Sequence, residues 1–328
     1  IYYIRLSKQF AYLIMVLLEG YYVMVRGDIF AVKGVLHPDW GVIAIPTYIR
    51  SSGGYRRIRS YRESITYLQT NYPEYLVKLD FTGQVTPVVP LEDVENVYNP
   101  LEFHESSTEA GVDACTLKNM IESMVDVDVG VSGSILLKLD DKDSDIDLVV
   151  YGLEAGERFY EALRELRIKG TLKAVNSFNW ISETRSDSKL SVTDWMKIEV
   201  RKILTGIYKD RLYTAKIVPS IDEYWEDISQ KVSEIGRARI ICSIVSSRFG
   251  KTTPNMYKVK TLKILEGDLE ESMVLSIMSM RSRFSEIAGE GEEVEVEGRL
   301  EKIIKPDCRE EYRIFLGNDE RDKIIPRR

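Results

Sequence analysis

The sequence predicts an α+β fold in three folded parts, and three observations carry that expectation. Alternating and β-branched runs separated by Gly and Pro turns fill residues 26–100. Helix-spaced apolar residues flank two short apolar runs within residues 102–235. Beyond residue 237, five short strand candidates follow at close spacing. A chain of 328 residues has room for two or three cores. The expected division is 1–23 as an extension, 24–101 as a β-rich unit, 102–235 as a mixed sheet covered by helices, and 236–328 as a small β-barrel.

The first apolar run, Phe10 to Leu18, lies behind Arg5 and Lys8. It is too short to span a bilayer, and no small-residue cleavage site follows it, which argues against a signal peptide. Translation is expected to start at Met24, just ahead of the first clear β pattern. Asp28 to Val35 and Val42 to Ile49 read as strands joined by a turn at His37-Pro38-Asp39-Trp40-Gly41. Arg50 to Arg62 then holds five Arg, two Tyr and no acid, with Gly53-Gly54 marking a hairpin tip. Arg56, Arg57, Arg59 and Tyr61 are the candidates for a nucleic-acid surface, since Arg tracks phosphates and Tyr stacks bases. A solvated hairpin accounts for the same residues equally well. Ser64 to Tyr75 reads as a short helix meeting Pro73, and Asn99-Pro100 punctuates the first boundary.

In the second part, Leu117, Met120, Ile121 and Met124 define one helix face, and Phe159, Leu163 and Leu166 another that closes at Gly170. Between them, Val127 to Gly152 reads as strand, tight turn at Gly133-Ser134, excursion, strand. Asp145-Ile146-Asp147 alternates, so both carboxylates share one face and Ile146 takes the other. Two adjacent carboxylates repel unless a cation lies between them. Hard oxygen ligands of this kind suit Mg²⁺ or Mn²⁺. Gly133 lets backbone approach a phosphate, and Ser134 offers a hydroxyl and an amide donor at a helix start. Lys138, Lys142 and Ser144 lie in the excursion; a solvated-loop role accounts for both lysines. Downstream, the pattern predicts a helix over Asp194 to Leu204 capped by Thr193, a strand over Tyr208 to Val218, and an amphipathic helix over Ile221 to Ile235.

Gly133-Ser134 followed ten residues later by Ser144-Asp145-Ile146-Asp147-Leu148-Val149-Val150 resembles the signature of the DNA polymerase β-type nucleotidyltransferase superfamily. The wider layout resembles a group of archaeal predicted nucleotidyltransferases, through Gly27 to Gly34 with His37-Pro38, Gly236 to Ser243 and Val296 to Glu301. The resemblance implies a nucleotidyltransferase-type mixed sheet. It also implies that Gly133 and Ser134, with Ser144 and Lys142 nearby, hold a nucleoside triphosphate, and that Asp145 and Asp147 ligate Mg²⁺ (or Mn²⁺). Nucleoside monophosphate then passes to an acceptor and pyrophosphate leaves. Superfamily members usually add a third acid from a later strand. Here Arg211 to Val218 contains none, so Asp210 is the nearest candidate, with Asp194 and Asp222 behind it.

In the third part, Ala238–Ser246, Asn255–Leu265, Met273–Met280, Glu292–Ile304 and Tyr312–Leu316 are strand candidates that suggest an oligonucleotide-binding-type barrel. Arg281 and Arg283 face a polyanion or are ordinary surface charges, the second being preferred. A net charge of −7 excludes a generally basic nucleic-acid binder. From Glu102 to Gly152, twelve acids face three lysines, which suits a metal-binding or well-solvated region. Few Gln and many Glu, Lys, Arg and Ile fit a thermophile. Cys115, Cys242 and Cys308 form no C-x-x-C pair. This argues against a zinc site and a disulfide framework, and for a reducing, cytoplasmic setting. His37 and His104 are isolated and read as turn or core residues. The expected partners are a nucleoside triphosphate and RNA, with no membrane. The alternative is a nucleic-acid-binding protein whose transferase core has lost its base. A toxin–antitoxin transferase is disfavoured by the three-part length.

Overall fold

The structure is a computed structural model that describes residues 17–270, 273, 275–317 and 319–327. It is a mixed α+β arrangement of three sheets. The first sheet comprises β1 (Tyr22–Val25), β2 (Asp28–Val32), β3 (Gly41–Ser51), β4 (Gly54–Arg57), β5 (Leu76–Leu79), β6 (Gln84–Pro90) and β7 (Asn96–Tyr98). Their order is β5-β6-β3-β2-β1-β7, with β4 paired to β3 as the expected hairpin. Helix α1 (Tyr61–Asn71) starts three residues ahead of expectation because Ser60 is its cap, accepting from the Glu63 amide.

Residues 1–16 lie outside the described residues, and with them most of the Phe10–Leu18 run. Residues 17–23 contribute to the first core and to its first strand. Leu17 and Val23 are fully buried in the first core with Phe30, Leu68 and Tyr75. The Glu19 amide donates to the Gly34 carbonyl at 2.8 Å, and β1 begins at Tyr22.

His37 has the expected core role. Its Nδ1 accepts from the Ile43 amide at 3.1 Å, so the ring proton sits on Nε2 and is donated to the Leu17 carbonyl at 2.8 Å. Burial pushes its pKa down from 6.5 to about 4. The folded state therefore favours neutral imidazole. Its contribution, about 3 kcal/mol, is present above pH 6.5 and is lost as pH falls through 4. Denaturant unfolding between pH 7 and 4 is expected to show this loss, and His37→Gln is expected to lack it.

The second sheet comprises β8 (Gly130–Val131), β9 (Ile146–Tyr151), β10 (Leu172–Lys173), β11 (Thr205–Tyr208) and β12 (Arg211–Val218), in the order β10-β11-β12-β9-β8. Only β9 and β12 pair in parallel. Helices α2 (Glu109–Met124), α3 (Gly133–Leu136) and α4 (Leu153–Ile168) accompany it. Ile146, Leu148 and Val150 of β9 meet Leu117, Ile121, Phe159 and Leu163 in one core. The alternate residues face the first sheet, where Val149 packs with Val35 and Val218. Asp147 lies on that same face.

Three expected elements differ. Tyr208 to Val218 is a hairpin, turning at Lys209-Asp210, where Lys209 has a φ of 52°. The helix expected over Asp194 to Leu204 is α6 (Val192–Glu199), preceded by α5 (Phe178–Thr184); Ser191, not Thr193, caps α6. Ile181, Trp195 and Ile198 of these two helices pack into the third core, not the second. Ile221 to Ile235 forms a 3-10 turn at Ile221–Glu223, irregular chain with a turn between Asp227 and Gln230, and strand from Lys231. Trp225 there packs on Tyr224 and Phe249, and residues from Lys231 onward pair with a distant strand. That pairing overrides a spacing compatible with a helix.

The third sheet comprises β13 (Lys231–Phe249), β14 (Asn255–Glu266), β15 (Leu275–Ser279), β16 (Glu293–Ile304), β17 (Glu310–Leu316) and β18 (Lys323–Pro326). All five expected strands are present, and β18 is additional. Pairing runs β13-β14-β15-β17-β16-β18, and β13 also pairs with β16, so five strands close into a ring. Val294 and Val296 point inward as the Glu-Val alternation predicts. Among the described residues, no helix is long and apolar enough to cross a membrane.

Candidate functional site

The site begins where β8 turns into α3. The Ser132 amide donates to the Asp147 carbonyl at 2.8 Å, and its hydroxyl donates to the Gly20 carbonyl at 2.7 Å. Gly133 has a φ of +69°, and a Cβ there would overlap the Asp147 carboxylate. Both facts require glycine. The Ser134 side chain lies beside the Tyr48 phenol. Thr214, the cross-strand partner of Asp147 on β12, donates its hydroxyl to Asp147 Oδ1 at 2.5 Å. Asp145 stands at the exposed start of β9 while Ile146 between the acids is fully buried. The Asp145 carboxyl is pushed up to about 6 by its partly desolvated setting and by the neighbouring Asp147 charge. Gly133→Ala is expected to cost about 1–2 kcal/mol of stability through the left-handed backbone, and to displace Asp147. Denaturant unfolding, with activity measured alongside, checks both.

A second set of charges stands beside Asp147. Glu19, nearly inaccessible to solvent, accepts from Lys216 at 2.7 Å, Lys33 at 3.4 Å and the Gly34 amide at 3.0 Å. Burial alone would raise its pKa, but the two ammonium groups outweigh that and hold it at about 2. Such a carboxylate is a poor base. Lys216, Lys33, Asp147 and Arg57 line one cleft of about 770 Å³ where the three sheets meet.

The structure brings together Gly133, Ser134, Asp145 and Asp147. It adds Arg57, Arg59 and Tyr61, since Arg57 is coupled electrostatically to both acids and all three line the cleft. Other expected residues lie elsewhere. Asp210 is at the exposed hairpin turn; continuing the β9–β12 register puts it level with Asp143, beyond the carboxylate pair. The position facing Asp147 is Thr214. Lys142 is exposed, and its carbonyl and that of Ser144 accept from Arg211. The Ser144 hydroxyl donates to Asp141, so it shapes the loop. Arg56 pairs with Glu63 on the outside of the hairpin. Asp194 pairs with Lys197 in α6, and Asp222 is in the 3-10 turn. Arg281 and Arg283 are not free surface charges: both pair with Asp187, Arg283 is buried, and both line the cleft. Among the described residues, no group of three or more His, Cys, Asp or Glu gathers as a metal cluster.

The chain is 25% identical over 321 residues to the uncharacterized protein MJ1086 of Methanocaldococcus jannaschii, a match covering 89% of this chain and 92% of that protein. No protein-family model matches the chain, and no solved structure matches it.

Proposed function

We propose that the chain is a Mg²⁺-dependent nucleotidyltransferase of the DNA polymerase β type. The observation that carries this reading is the close approach of Gly133 to the carboxylate of Asp147, an acid that lines the cleft and raises the pKa of its neighbour Asp145. Two carboxylates with open oxygen donors fit Mg²⁺, which takes one or two acids and completes its shell with water and substrate phosphates. Bound there, the metal would neutralise charge on the reacting phosphate. Asp145 and Asp147 are its holders. Gly133 and Ser134 orient the triphosphate, and Thr214 fixes the Asp147 carboxylate in rotation. The acceptor oxygen forms a bond to the α-phosphorus, the bond to the β-phosphate oxygen breaks, and the acceptor proton passes to solvent. The closed five-strand ring supports an oligonucleotide-binding-type barrel, which favours RNA as acceptor.

Thr214 in place of an acid favours one second reading: a core that binds nucleotide and nucleic acid without transfer. Incubation with α-labelled triphosphates, Mg²⁺ and total RNA or protein separates the two. Transfer of label that requires Asp145 and Asp147 supports the enzyme. Saturable nucleotide and RNA binding without label transfer supports the second reading.

A further inference from the structure

We propose that the first sheet completes this pocket: Lys33 and Arg57, with Lys216 of β12, form the wall that binds the phosphate chain of the nucleoside triphosphate, and Glu19 positions the two lysines. This rests on the transferase reading and assigns its phosphate subsite to residues far from the Gly-Ser turn.

Lys216 lies two residues beyond Thr214 on β12, so both point to the same face, about 7 Å apart. Thr214 touches Asp147, which sets Lys216 one step along the cleft from the acid pair. Lys33 follows β2 and reaches the same Glu19 oxygen from the opposite sheet.

One buried carboxylate serves two ammonium groups, each with three N–H donors. Both lysine side chains remain about a quarter to a third exposed, at 26% and 31%, so they reach the cleft. Burial pulls both ammonium groups down; Glu19 overcomes this at Lys216 but not at Lys33, which remains under-compensated. Among the described residues, Arg57 has no ion-pair partner. Its guanidinium lies 5.9 Å from the Tyr48 ring centroid and is drawn electrostatically to Asp147 and Asp145. A planar guanidinium beside two ammonium groups matches a polyanion of the phosphate class. With Asp145 and Asp147 assigned to the metal, these three cations against Glu19 supply the remaining positive charge for a triphosphate.

Strand alternation divides the arginines of β4 between two faces. Arg56 turns outward to Glu63, whereas Arg57 turns into the cleft. Strand β4 thereby presents Arg57, and not Arg56, to the pocket, with Arg59 lining it just beyond the strand.

The test is equilibrium binding, by calorimetry, of two probes: inorganic tripolyphosphate and each nucleoside triphosphate with Mg²⁺. The proteins are the full chain, Arg57→Gln, Lys216→Met and the outward control Arg56→Gln. Arg57→Gln is expected to weaken both probes about tenfold, Lys216→Met at least as much, and Arg56→Gln not at all. Arg57 is exposed and pairs with no acid, so its variant keeps the test sound if Lys216→Met fails to fold. Full affinity in Arg57→Gln overturns the wall while leaving the transferase reading intact. Arg57-dependent binding of tripolyphosphate, with no nucleotide bound, supports the wall and contradicts the nucleotide reading. Binding of neither probe by the unaltered protein overturns the wall.

Discussion

Asp147→Ala is expected to lower nucleotidyl transfer at least about a thousand-fold, a barrier increase of about 4 kcal/mol, while the fold survives. The loss follows from position. Asp147 is the acid that meets the Gly133 turn, and its carboxylate is held by Thr214. Its side chain is only half-buried, and the core face of β9 is made by Ile146, Leu148 and Val150. Removal therefore opens no cavity in the apolar core. It leaves the Thr214 hydroxyl to bond with water, a change within about 1 kcal/mol. Asp145→Ala is expected to behave in the same way, since it removes an exposed carboxylate and no packing. Comparing turnover with thermal unfolding separates a lost ligand from a lost fold. Full turnover in either variant would remove the carboxylates from the metal-holding role.

Glu19→Ala is expected to have the largest effect on stability, a loss of about 3 kcal/mol. It would leave Lys33 and Lys216 facing each other without a shared acceptor in a poorly hydrated place. The pH dependence has a definite sign. The Glu19 carboxyl falls from 4.5 to about 2 on folding, so its contribution is fully present above pH 4.5 and is lost as pH falls through 2. His37 acts in the higher window, between 6.5 and about 4. Acid unfolding followed by urea titration at successive pH values is expected to show both windows. Glu19→Ala should lack the lower one and His37→Gln the upper one. A Glu19→Ala protein as stable as the parent would mean that the triad carries no net stabilisation.

What could be read from the sequence was what depends on local period. The Asp145-Ile146-Asp147 alternation gave the right faces because strand geometry repeats every two residues. The Gly53-Gly54 hairpin and the strands of the ring were legible for the same reason, through turn residues and short β-branched runs. Gly133 was legible as a close-approach glycine, although its neighbour proved to be Asp147. Ile221 to Ile235 misled because its apolar spacing suits a helix while β16 offered a strand partner. The Glu19–Lys33–Lys216 group was hidden for a different reason. Glu19 and Lys216 are 197 positions apart, and no local pattern marks either. An acid embedded in apolar sequence just before β1, and a lone lysine amid the apolar end of β12, were the only available hints. Arg283 likewise looked like a surface charge because its partner Asp187 comes from a distant segment.

The most direct test is pyrophosphate release by the full chain with Mg²⁺ or Mn²⁺, each of the four ribonucleoside triphosphates and total cellular RNA, beside the Asp145→Ala/Asp147→Ala protein. The account predicts release with at least one nucleotide, dependent on metal and on acceptor, and absent from the double variant. Equal release by the double variant, or none by the unaltered protein with any nucleotide and any acceptor fraction, would contradict it.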